Sequence, residues 1–149
     1  MSLQVKVMEA MKEAMKSKDK IALESLRAIK SGILLAQTES GATEELSEDA
    51  EIKLLQKLVK QRKESANIYI NQGRNDLAEP ELAQAYVIEK FLPEQIGTDE
   101  LKAIIADIIK STNATSIQDM GKVMGLASQK LAGKADGKSI STIVKELLS

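Results

Sequence analysis

The chain has 149 residues, enough for one domain or two small ones sharing an interface, and with 43% apolar but only 2% aromatic residues its core must be built from Leu, Ile, Val, Ala and Met, as in helix-on-helix packing. It holds neither Cys nor His, which excludes disulfides, thiolate or imidazole metal sites and a Ser-His-Asp triad, and it lacks a twelve-residue calcium loop, so no cofactor and no metal are expected. The net charge is −1, no apolar run nears the length of a membrane span, and the N-terminus lacks a signal-peptide core; a cytoplasmic chain without membrane association is expected.

In chain order, Leu3, Val7, Met11 and Met15 recur at helical spacing. Ser17-Lys-Asp19 breaks that pattern, and Asp19 is placed to cap a second helix carrying Leu23, Leu26, Ile29, Ile33 and Leu34, which frays around Glu39–Thr43. Ser47 announces a third helix, with Glu48, Asp49 and Glu51 where the helix dipole favours acids. It runs through Ile52, Leu55, Val59, Ala66, Tyr69 and Ile70 to the stop Asn71-Gln-Gly73. A fourth begins near Glu79-Pro80 and carries Leu82, Ala85, Tyr86 and Glu89 up to Pro93.

Phe91-Leu-Pro-Glu-Gln-Ile-Gly97 reads as a linker. Thr98 is expected to cap a fifth helix with Leu101, Ile104, Ile105, Ile108 and Ile109. Ser116 and Asp119 have capping-box spacing at the start of a sixth, whose apolar seam is Ile117, Met120, Met124, Ala127 and Leu131. Ile140, Ile143, Val144, Leu147 and Leu148 mark a seventh. The expectation is an all-α chain: an N-terminal helical domain of about four helices over residues 1–92, then a small C-terminal three-helix bundle over 98–149.

Charge is uneven. Residues 52–75 carry Lys53, Lys57, Lys60, Arg62, Lys63 and Arg74 against Glu64 alone, whereas residues 76–107 hold eight acids against Lys90 and Lys102. From Ser116 onward five lysines face three acids. Runs such as Lys53, Lys57, Lys60 and Lys63 are commonly a solvated face. Arg62 lies in register with the buried side of its helix, and pairing with a carboxylate between Asp76 and Glu89 is expected. The acids at 44–51 and at 79–81 are explained by the helix starts they occupy.

Gly133-Lys-Ala-Asp-Gly137-Lys138-Ser139 resembles a phosphate loop but fails on spacing, and it follows a helix rather than a strand. A turn explains most of it: Gly133 as left-handed C-cap of the sixth helix, Asp136 as N-cap of the seventh. The gathering of Lys130, Lys134 and Lys138 around that turn leaves two readings, a solvated turn or a phosphate held by lysines and helix-start amides. Gly121 and Gly125 each cost about 1 kcal/mol of helix propensity relative to Ala. A neighbouring helix packed closely against them is expected, with a partner's backbone as the alternative.

Arg27-Ala-Ile-Lys30, Lys60-Gln-Arg-Lys-Glu-Ser-Ala66, Phe91-Leu-Pro-Glu-Gln95, Met120-Gly-Lys-Val-Met124 and Gly133-Lys-Ala-Asp-Gly-Lys138, in that order, resemble the YqeY family over nearly the whole chain. That family is similar to the C-terminal tail region of the B subunit of glutamyl-tRNA(Gln)/aspartyl-tRNA(Asn) amidotransferase. The resemblance implies an N-terminal helical domain, a C-terminal three-helix domain, and a region that contacts the tRNA body while activation and amide transfer occur elsewhere. Neither the kinase-like cradle nor the amidase Ser/Lys site of that enzyme has a counterpart here. Gly137 stands where the amidotransferase relatives commonly have Pro. Carried over motif by motif, the tRNA-contacting residues are Lys122, Lys134 and Lys138.

The leading expectation is therefore a non-catalytic, tRNA-binding accessory module. Lys122, Lys130, Lys134 and Lys138 contact phosphates in it, and Lys57, Lys60 and Lys63 extend the contact. Three aromatic residues offer little for stacking single-stranded bases, which leaves recognition of a folded RNA by shape. The alternatives are an adaptor docking a protein partner in translation through helix 116–132 at Gly121 and Gly125, and a component of a glutamine-dependent carbon–nitrogen ligase. Catalysis would need a buried Glu or Lys with a displaced pKa beside a pocket.

Overall fold

Local signals set the helix ends before packing does. Ser2 Oγ accepts from Val5 N–H at the start of α1 (Leu3–Ser17), and Lys18 closes that helix in the left-handed region as Asp19 N–H reaches back to Ala14 O at 3.0 Å. The Asp19 carboxylate then caps α2 (Lys20–Ser40) through Ala22 N–H at 3.0 Å, and left-handed Gly41 ends it. Ser47 caps α3 (Glu48–Asn71) through Ala50 N–H at 3.2 Å. At its far end Gly73 is left-handed, φ 72°, and lets Arg74 N–H close on Tyr69 O at 2.8 Å before α4 (Asn75–Glu89) returns. Then come α5 (Thr98–Thr112), a 3-10 turn (Ile117–Asp119), α6 (Met120–Lys130) and α7 (Gly137–Leu148).

The coordinates are a computed structural model describing residues 2–41 and 45–149. Among the described residues there are seven α-helices and no strand, so the chain is all-α. Ala42, Thr43 and Glu44, assigned from sequence to the frayed end of α2 and to the acidic cluster, lie outside the described residues. The chain divides into two compact units, Met1–Leu92 and Pro93–Ser149.

In the first unit Leu3, Val7 and Ala14 of α1 meet Leu26, Ile29 and Ile33 of α2, Leu55 and Val59 of α3, and Ala85 and Ile88 of α4. Met15 is not part of this core; it is 55% exposed. Each step of four residues turns a helix 40° past a full turn, so a stripe read at constant spacing of four walks off the buried face, and Ala14 takes the place given to Met15. The α3–α4 hairpin is closed by small side chains, since Ala66, Ala78 and Ala85 are all buried. Packing of Ala78 also explains why α4 begins at Asn75, a turn before the expected Glu79-Pro80, leaving Pro80 inside the helix. Arg74 supports this earlier start by gripping Asp76 with both Nε and Nη2, at 3.0 and 2.9 Å. The guanidinium holds the Asp76 carboxyl below its ordinary pKa.

Two polar contacts knit the helices of this unit. Leu3 N–H, one of the four amides α1 cannot satisfy internally, donates to Glu51 Oε2 of α3 at 3.0 Å. Arg62 does not pair with a carboxylate of α4 as expected. Its Nε donates to Gln84 Oε1 at 3.1 Å and its Nη1 to Leu58 O at 3.1 Å, while Gln84 Nε2 donates onward to Glu24 Oε2 at 3.2 Å. The amide of Gln84 stands between cation and anion, so Arg62 and Glu24 are joined across α2, α3 and α4 by a neutral relay.

The second unit is a three-helix bundle in which α5, α6 and α7 each pack on the other two. Its core is Leu101, Ile105 and Ile108 of α5, Val123 and Ala127 of α6, Leu131, and Ile140, Ile143, Val144 and Leu148 of α7. The seam of α6 is thus Val123 and Ala127, continued by Leu131, with Met120 and Met124 at its edges. Ile117 is 49% exposed because the chain is still in the 3-10 turn there, out of phase with the α-helix that follows. Thr98 is the first residue of α5 rather than its cap; Gly97 occupies the cap position. The expected capping box is replaced as well: Asp119 Oδ2 accepts from Thr115 N–H at 3.0 Å, and Ser116 makes no side-chain cap.

Candidate nucleic-acid interface

The segment joining α6 to α7 is a built turn. Leu131, 1% exposed, anchors it in the bundle core, and Lys134 N–H closes on Leu131 O at 2.9 Å. Gly133 stands third in this turn with φ 76°, a left-handed value that favours glycine. It does not end α6 as expected, since Leu131 is the C-cap residue. Asp136 does cap α7, accepting from Ser139 N–H at 2.9 Å. A carboxylate thus already caps the first turn of α7 through the Ser139 amide, which disfavours an anion at that helix start and leaves the lysine side chains as the groups best placed to hold one.

Those lysines are open to solvent. Lys130, Lys134 and Lys138 are exposed, and none has a carboxylate within 4.0 Å among the described residues. They fall at the end of α6, within the turn, and in the first turn of α7. Lys122, also exposed, stands at the other end of α6, about 12 Å along the axis at 1.5 Å per residue. The structure thus groups three of the four C-terminal candidates at one turn and sets the fourth apart.

The N-terminal candidates differ from one another. Lys63 is engaged by Glu89 at 2.6 Å, and Lys60 lies 4.0 Å from Glu64 across one helical turn. Lys57 is exposed. On α4, Tyr86 is 64% exposed with Lys90 Nζ 4.8 Å from its ring centroid.

The turn has a partner the sequence did not announce. Gln95 Nε2 donates to Gly133 O at 2.7 Å and to Pro93 O at 2.9 Å, and Ile96 N–H donates to Lys134 O at 2.9 Å. Residues 95 and 96, read as linker, are instead strapped to the lysine-bearing turn. Their one sequence signal is that Phe91-Leu-Pro-Glu-Gln95 and Gly133-Lys-Ala-Asp-Gly-Lys138 belong to the same set of motifs.

Gly121 and Gly125 also depart from expectation. A Cβ built on either meets nothing within 4 Å, so among the described residues no neighbouring helix of the second unit packs closely against them. With open space above both, replacing the pair by alanine is expected to raise the stability of the second unit by up to about 2 kcal/mol through helix propensity. A thermal melt of Gly121→Ala/Gly125→Ala that fell below wild type would show the face is not open.

Among the described residues no group of His, Cys, Asp or Glu is arranged to hold a metal ion, and no helix is long and apolar enough to cross a membrane. Ser25 is the one buried polar side chain among them; no Glu or Lys is buried. A cavity of about 10 Å³ beside Leu3 and Glu51 has room for one water.

A family model described as Yqey-like protein matches residues 4–148. The chain belongs to that family. It is similar, at 29% identity over 142 residues covering 93% of this chain and 76% of the relative, to altered inheritance of mitochondria protein 41, mitochondrial, from Pyrenophora tritici-repentis. A protein of the same description from Meyerozyma guilliermondii is 34% identical over 82 residues, 55% of this chain and 42% of that one. The E subunit of glutamyl-tRNA(Gln) amidotransferase from Thermococcus gammatolerans is 34% identical over 70 residues, 44% of this chain but 11% of that protein. The similarity to a tRNA-dependent amidotransferase is thus to a small part of a polypeptide much longer than this chain.

Proposed function

We propose that this chain is a non-catalytic accessory module that binds tRNA through the lysine turn of its second unit. The observation that carries the reading is the turn itself: Lys130, Lys134 and Lys138 stand exposed, without carboxylate partners among the described residues, on backbone fixed by Gln95, Ile96 and Leu131. Similarity to part of a glutamyl-tRNA(Gln) amidotransferase supports tRNA as the ligand. Lysines on a helical scaffold contact phosphates and position an RNA without reading its bases, and Lys122, Lys57, Lys60 and Lys63 extend the contact once the last two release Glu64 and Glu89. The two units fold as separate domains, and the second carries the main contact.

The test is binding of the purified protein to bulk tRNA at two salt concentrations. Phosphate contacts release counterions, so affinity must fall steeply as salt rises. Binding indifferent to salt, or absent at low salt, would overturn the reading.

The open face at Gly121 and Gly125 favours a second reading, a protein-interaction adaptor docking through α6. It predicts a partner lost on Gly125→Leu and retained when Lys134 and Lys138 are replaced by alanine. Recovery of the same partners by wild type and Gly125→Leu in a pull-down would count against it.

A further inference from the structure

The segment Pro93–Ile96 makes a set of hydrogen bonds that a linker does not need. Both hydrogens of the Gln95 side-chain amide are used, on Pro93 O and on Gly133 O, and the next residue donates its backbone N–H to Lys134 O. Two consecutive carbonyls of the turn, at 133 and 134, are thereby held from one side by two consecutive residues of the strap. Gly133 itself is buried and left-handed, so its carbonyl direction is fixed by the turn as well as by Gln95. Held in this way, the backbone presents the Lys134 side chain to solvent, and Asp136 follows two residues later to start α7 with Lys138 in its first turn.

We propose that Gln95 is a positioning residue for the lysine turn: its side-chain amide, acting with Ile96 N–H, sets where Lys134 and Lys138 stand for phosphate. The inference rests on the tRNA reading for its ligand and on the strap for its mechanism. Gln95 contacts no phosphate. It acts by keeping two cations at a fixed separation, so that both meet the same RNA surface without first ordering the turn. Removing its donor frees the Gly133 carbonyl to turn toward water, and the turn then samples positions in which Lys134 no longer aligns with Lys138.

The experiment compares Gln95→Met, which keeps the length of the side chain without the donor, and Gln95→Glu, which keeps its shape but turns a carboxylate on two carbonyl oxygens. Bulk tRNA affinity at low salt is expected to drop about five- to tenfold in both, with the slope of log K against log salt reduced by about one, as for loss of one lysine–phosphate contact. In Gln95→Met/Lys134→Ala the two losses are expected to fall well short of additive, because the first acts through the second. Amide exchange distinguishes this from damage to the bundle: the Ile96 and Lys134 amides are expected to exchange faster while those of Ile105 and Val144 keep wild-type protection. Wild-type affinity and slope in both variants, or full additivity with Lys134→Ala, would overturn the positioning role while leaving tRNA binding intact. If wild type itself does not bind tRNA, the parent reading fails, and exchange alone decides the strap: unchanged Ile96 and Lys134 rates in Gln95→Met would overturn it, and faster ones would support it.

Discussion

Shortening Ile105 to alanine is expected to unfold the second unit and leave the first one folded. Ile105 is fully buried among Val123 and Val144, which are themselves fully buried, so the truncation leaves a cavity that the bundle fills poorly. Such a change costs about 2–5 kcal/mol. A unit as short as Pro93–Ser149 commands only a few kcal/mol in total, at roughly 0.05–0.15 kcal/mol per residue. The substitution therefore consumes most of its stability. Backbone amide spectra should lose the dispersed signals of α5–α7 and retain those of α1–α4. Ile105→Val, expected to cost about 0.5–1.5 kcal/mol, should shift the melting of the second unit without abolishing it. A single cooperative transition involving both units would refute their folding as separate domains.

The second large effect is expected on tRNA binding. On the proposed reading, Lys134→Ala with Lys138→Ala removes two charge-assisted contacts to phosphate, each worth about 1.5 kcal/mol or somewhat less on an exposed surface. Affinity at low salt should fall roughly ten- to hundredfold by that magnitude, and the slope of log K against log salt should diminish by about two. A control of equal charge is Lys110→Ala with Lys145→Ala, which removes two exposed lysines of the second unit that lie outside residues 130–138. An equal loss in the control would mean that the whole basic surface, not the turn, attracts RNA.

Features specified by near neighbours in the chain were legible. Asp19, Ser47 and Asp136 cap the helices assigned to them, because a cap reaches only three residues along the backbone. The all-α character was legible for the same reason, since apolar spacing repeats within each helix. Phase was harder: Met15 and Ile117 lie off the core because four-residue steps drift and because a 3-10 turn resets the register. What depends on residues far apart in sequence was not legible. Arg62 finds the amide of Gln84 rather than a carboxylate, and nothing in the pattern of α3 encodes which α4 side chain will lie opposite. Gln95 reaches Gly133, 38 positions away, from a stretch whose Pro and Gly read as a break. The glycines of α6 misled in the other direction, because low helix propensity says that something is unusual about a face without saying whether it is crowded or bare.

That bare face has a consequence for motion. α6 starts without a side-chain cap, and it carries two glycines whose missing Cβ atoms save no space inside the fold. Its hold on the bundle is Val123 and Ala127, whereas α7 contributes four buried side chains and has a carboxylate cap. Local opening free energy follows such differences, so the amides of α6 are expected to exchange faster than those of α7. Lys122 is carried by α6, Lys134 by the turn and Lys138 by α7, so an opening of α6 would change the reach of the first cation and leave the other two on their own supports.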